Sequence, residues 1–204
     1  MLALRHVRPR LIGAVALLTV SGMLAACGTT SALQVNDEAQ TIDLTPYTRL
    51  LVEDFADEAT EQAKPELRPL LQPKMAEAIK LFPDQIAAVI RESGGFDEVL
   101  REGPVDATTL VLRGAITQYD EGNATLRWMV GFAAGNANFD ARLELIDGAS
   151  GERLGTWVVD KNSWALGGGI AATQRPEDFM AEAAAKIGGE LSSKRKTGSL
   201  KKPG

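Results

Sequence analysis

The chain has 204 residues, 45% hydrophobic, 24% charged and 5% aromatic, which suits one globular domain with flanking segments. Its formal net charge is −5, but Arg5, Arg8, Arg10, Lys194, Arg195, Lys196, Lys201 and Lys202 lie near the two ends; the other 14 lysines and arginines face 27 acids, so the body carries −13. Such a body is not built to bind nucleic acid, and the single cysteine excludes a disulfide within the chain.

Residues 1–26 read as a secretion signal. Three arginines precede the apolar run "LIGAVALLTVSGML", which is too short and too interrupted by polar residues and glycine to read as a membrane span. Leu24, Ala25, Ala26 and Cys27 follow. This order resembles the bacterial lipoprotein signal. The resemblance implies that the Cys27 thiol is acylated and that the chain is cut between Ala26 and Cys27. Acylation suits a thiolate nucleophile, and two or three acyl chains anchor a protein stably where one does not. Gly28 stands where the enteric sorting rule places Asp for inner-membrane retention, so the resemblance implies the outer membrane, facing the periplasm.

Residues 27–46 are polar without a clear period and read as a lipidated cysteine and flexible tether. The domain is expected over 47–192. "TRLLVEDF" (48–55) reads as its first strand, and the acidic, proline-bearing stretch 56–73 as a loop with at most a short helical turn. Met75, Ile79, Phe82, Ile86 and Ile90 then form a helical stripe that keeps its phase across Pro83. The stripe predicts one helix over about 74–93, kinked at Phe82–Pro83, with two abutting helices as the alternative; Gly94 and Gly95 end it.

Strands are expected at 96–100, 108–119, 138–147 and 153–160, with an additional one open at 125–132. "NFDARLELID" alternates, placing Phe139, Ala141, Leu143 and Leu145 on one face of a sheet. A last helix starts near Pro176, with Glu177 and Asp178 in its first turn and an apolar face of Met180, Ala183, Ala184, Ile187 and Leu191. Residues 193–204 read as a basic disordered tail. The order β–α–β–β–β–β–α defines a single-domain α+β fold, a mostly antiparallel sheet with two helices on one face.

His6, the one histidine, leaves with the signal, and Cys27 is consumed by lipid. The mature body then lacks the side chains of Ser-His and Cys-His catalysis and of His/Cys metal sites. Ser193 and Lys196 make a Ser-x-x-Lys pattern, but in the expected tail nothing would hold a dyad. Glu53, Asp54, Asp57, Glu58 and Glu61 read as a solvated acidic loop rather than a glycosidase pair or a calcium loop. The glycine-rich pieces 130–137 and 166–174 lack a P-loop ending. The expectation is a non-enzyme without cofactor or metal.

"LRWMVGFAAG" (126–135) joins two strands, and "SWALGGGIAA" (163–172) joins the last strand to the last helix. Two hairpin reversals place both excursions at the same end of the sheet. Trp128, Met129, Phe132, Trp164 and Leu166 are therefore candidate contacts for a partner or a second copy, unless they complete the domain's own core.

"RGAITQYDEGN", "RWMVGFAAGNANFDARLELIDGASGERLGTW" and "FMAEAAAKIGGEL" resemble a Gram-negative lipoprotein family known as a domain of unknown function, DUF4410, through Arg113, Gly114, Tyr119, Gly122, Gly131, Gly135, Asp147 and Gly151. These are glycine turns and strand patterns, which specify a fold rather than a chemistry. More loosely, the element order resembles penicillin-binding-protein activator lipoproteins and curli-export lipoproteins, which bind other proteins. The leading expectation is a lipid-anchored periplasmic accessory or assembly factor with an envelope protein partner, with a homo-oligomer allowed. The alternative is a binding module for a small or polymeric envelope ligand, with the basic tail on an anionic surface.

Overall fold

The cleanly alternating segment 138–147 lies inside the sheet. The computed structural model describes residues 28–35, 41–122, 137–162 and 174–201. In chain order the elements are β1 (Gly28–Thr30), β2 (Gln34–Val35), β3 (Thr41–Asp43), β4 (Arg49–Val52), β5 (Ala56–Asp57), α1 (Glu58–Gln62), α2 (Arg68–Ser93), β6 (Glu98–Leu100), β7 (Thr109–Asp120), β8 (Asn138–Asp147), β9 (Arg153–Asn162), α3 (Pro176–Thr197) and β10 (Ser199–Lys201). The eight-stranded sheet runs β1-β9-β8-β7-β4-β6, with β2 also on β9 and β5 on β7. Pairing is antiparallel through β7, β8, β9, β1 and β2, whereas β4 lies parallel to both β6 and β7.

Both long helices cover one face. Met75, Phe82, Ile86 and Ile90 of α2 and Met180, Ala183, Ile187 and Leu191 of α3 are buried against Leu50, Leu112, Phe139, Leu143 and Trp157 of the sheet. The expected apolar stripes and the alternation of β8 are therefore the core. Phe82 packs edge-on against Phe55 and Phe139, with ring centroids 5.4 and 5.1 Å apart. Burying each such side chain contributes roughly 1.5–3 kcal/mol. On the opposite face lies a small apolar patch of Leu51, Val111 and Ile146.

α2 is one helix, with Pro73 and Pro83 inside it. Pro83 has no N–H to offer the carbonyl of Ile79, one turn back. That carbonyl instead accepts from the Phe55 N–H at 3.0 Å. The proline thus frees an acceptor that ties the chain after β4 to the helix.

Three expectations are corrected. The stretch 56–73 is not mainly loop: it contains α1, and α2 begins six residues earlier than expected, with Pro69 in its first turn, where a missing N–H costs little. The tether is not free chain. β1 and β2 pair with β9 and β3 pairs with β10, while Leu33 and Leu44 are buried. Leu33 fits because Gly155 has no side chain; a Cβ there would lie 2.7 Å from Leu33 Cδ1. The basic tail is not disordered up to residue 201. α3 continues through Lys194, Arg195 and Lys196, where positive charge suits a helix C-terminus. Gly198, at φ 74°, ends it and turns the chain into β10.

Candidate functional site at one end of the sheet

Asp120 closes β7, Asn138 opens β8 and Asn162 closes β9, and the three lie in register across the sheet. The segments 123–136 and 163–173 therefore leave from one end, as the hairpin argument requires. Trp128, Met129, Phe132, Trp164 and Leu166 lie outside the described residues, as do Ala26 and Cys27. β1 reaches the same end, because Gly28, the residue after Cys27, pairs with Lys161.

Both long helices start there too. Glu77 of α2 shares a small recess with Glu177 of α3, and further along a Cβ on Gly188 would lie 2.7 Å from Val89. The helices thus run side by side in one direction. Asp178 caps the start of α3, its carboxylate accepting from the Arg175 N–H at 2.9 Å. This acidic first turn matches expectation and disfavours an anion.

Sequence reasoning did not anticipate a groove at this end. It measures about 550 Å³ and lies between α1, the start of α2 and the end of β7. Leu67 and Leu70 form its exposed lip, at 50% and 68% exposure. Lys74 is ion-paired with Glu121 beside it. Behind it the Tyr119 hydroxyl donates to Glu177 at 2.5 Å; burial, then this bond, push the phenol pKa above its ordinary range. Leu67 and Leu70 were legible only as apolar residues in a proline-rich stretch.

The acidic stretch after β4 is largely structural. Asp54 pairs with Arg101 at 2.5 Å, Asp57 accepts from the Thr60 N–H at the start of α1, and Glu58 pairs with Arg142. Asp140 faces Asp160 across β8 and β9; burial, then that neighbour, raise its pKa. Among the described residues, no group of three or more His, Cys, Asp or Glu is arranged to hold a metal. Lys196, of the Ser-x-x-Lys pattern, donates to the Ser93 carbonyl at 2.6 Å.

The opposite end carries the basic last turn of α3 together with the carboxylates of Asp43, Asp106 and Asp147. Arg195 donates to the Tyr47 carbonyl at 2.5 Å and stacks over Phe96 at 5.9 Å. The Tyr47 hydroxyl donates to Asp147, where β8 ends. The basic residues of α3 thus stand far from the end that carries Gly28.

This α+β sheet with one helical face fits a known family. The chain belongs to the family described as Domain of unknown function (DUF4410), whose model matches residues 50–167. No curated protein matches it. Among solved structures it is similar to the PelC dodecamer from Paraburkholderia phytofirmans, at 16% identity and TM-score 0.50, covering 81% of this chain and 97% of that one. It is also similar to a Xanthomonas campestris protein of family DUF330, at 12% identity and TM-score 0.44, covering 84% of this chain and 97% of that one. At such identities the PelC likeness establishes a shared fold.

Proposed function

We propose that the chain is a lipid-anchored envelope protein, held to the outer membrane through Cys27 and facing the periplasm. It acts by assembling with copies of itself and with an envelope partner, not by catalysis. The observation that carries this reading is the convergence at Asp120, Asn138 and Asn162, from which both glycine-rich, tryptophan-bearing segments leave the sheet. A sheet end from which two apolar segments leave suits a contact with another molecule. The fold shared with a protein crystallised as a dodecamer supports self-assembly as the form of that contact. The ion pairs and caps that engage many of the acidic residues support a non-enzymatic role.

The test is crosslinking in cells followed by mass spectrometry, with the native protein, Trp128→Ala and Trp164→Ala. The native protein is expected to capture itself and a reproducible envelope partner. Both variants should keep nearly native melting temperatures and lose that capture. No reproducible capture by the native protein refutes the reading. Large losses of melting temperature in both variants would place the tryptophans in the domain's own core. The groove favours a second reading, a binding module for an envelope ligand. That reading predicts a ligand whose affinity falls in Leu70→Asp without loss of capture.

A further inference from the structure

We infer that the domain is held close to the bilayer, with the sheet end at Asp120, Asn138 and Asn162, from which the segments 123–136 and 163–173 leave, and the leucine lip at Leu67 and Leu70 facing the lipid surface. This rests on acylation of Cys27, as proposed above. Two observations carry it. First, no slack separates lipid from domain. Gly28 is already paired with Lys161 in the sheet, and its neighbour Cys27 is one Cα–Cα step away, about 3.8 Å. The acyl chains on Cys27 must then enter the membrane within a few ångströms of the end of β9.

Second, that end presents exposed apolar side chains. Leu67 and Leu70 stand beside the last residues of β7, and β7 lies three strands from β1 in the sheet order. At about 4.8 Å per strand the end of β7 is roughly 14 Å from the anchor across the sheet, and the lip lies beside it at the same end of the domain. Leucine side chains gain free energy by entering the headgroup–acyl boundary, which adds to the hold of the lipid.

The experiment uses the mature acylated protein in vesicles of phosphatidylethanolamine and phosphatidylglycerol. Spin labels are placed singly by Leu70→Cys, Glu121→Cys and, in the β8–β9 turn at the other end, Ala149→Cys. Cys27 carries lipid and takes no label. Accessibility to a water-soluble nickel chelate is read with and without vesicles, and Cys27→Ser proteins provide the unanchored reference. Shielding by roughly fivefold or more is expected at Leu70 and Glu121, as for sites in the headgroup layer, with Ala149 unchanged. Vesicle flotation with all three sites equally accessible, or with Ala149 the shielded one, overturns the orientation while leaving the anchor intact. Failure of the native protein to float overturns the anchor and the orientation together. Shielding of Leu70 already present in Cys27→Ser without vesicles assigns the lip to a protein contact and also overturns the inference.

Discussion

Arg195 distinguishes a disordered tail from a folded helix end. Its guanidinium donates to the Tyr47 carbonyl at 2.5 Å, beneath a residue that is itself buried, and lies over the Phe96 ring at 5.9 Å. A hydrogen bond from a charged donor is worth about 1.5–3 kcal/mol. A cation–π contact at that distance adds roughly 0.5 kcal/mol. Arg195→Ala should therefore lose about 2–3 kcal/mol, since the Tyr47 carbonyl also loses its partner. In a domain of this size that lowers the melting temperature by roughly 4–12 °C. The assay is urea and thermal unfolding of the soluble Cys27→Ser protein, followed by circular dichroism. Lys196→Ala, which removes an exposed bond to the Ser93 carbonyl, is the control and should cost under about 0.5 kcal/mol. Equal, negligible losses in both variants would refute the folded end.

Glu190 should hold the segment after Cys27 in place. Its carboxylate accepts from the Leu33 N–H at 3.0 Å and the Trp157 indole N–H at 3.0 Å. Glu190→Ala strands both donors, at about 1–3 kcal/mol each, and should speed amide exchange at Leu33 ahead of global unfolding. Gly188→Val should overpack the helix crossing, because even a Cβ there comes within 2.7 Å of Val89; about 1–3 kcal/mol should be lost by urea denaturation. Acid stability carries two opposite signs. Burial disfavours the Asp147 carboxylate, but bonds from Tyr47, Ser150 and backbone hold its pKa below 3.8. Bonds from Thr108, then Thr109, hold Asp106 at about 2. Their contribution is full above the unfolded value and is lost as pH falls through the folded one, so acid unfolding should set in below about pH 4 and Asp147→Asn should flatten that limb. The raised pKa of Asp140 opposes folding at neutral pH and ceases to do so once protonated. Asp140→Asn should therefore stabilise at neutral pH, by about 0.5 kcal/mol, and have little effect near pH 3 in the same titration.

The amino-acid sequence by itself determined the elements whose side chains repeat. The stripe from Met75 to Ile90, the alternation of 138–147 and the apolar face from Met180 to Leu191 are periodic because each element buries one face, and those residues are the core. Hairpin reversal also required both glycine-rich segments to leave the sheet from one end, since antiparallel neighbours leave no other choice. Tertiary structure alone decided what has no period. β1, β2 and β3 are two or three residues long, too short for a pattern, and they exist because β9 and β10 offer unpaired backbone. Leu33 is a lone apolar residue until Gly155, far along the chain, leaves room for it. Lys194 to Lys196 read as a solvated run until helix carbonyls, Tyr47 and Phe96 give those charges partners. The lip of Leu67 and Leu70 is a surface feature, defined by which residues lie beside it rather than by its own sequence. Cys27 lies between the two kinds of information. Its resemblance to a lipidation site is legible from its neighbours in the chain, whereas the end of the domain at which it emerges follows from the pairing of Gly28 with Lys161.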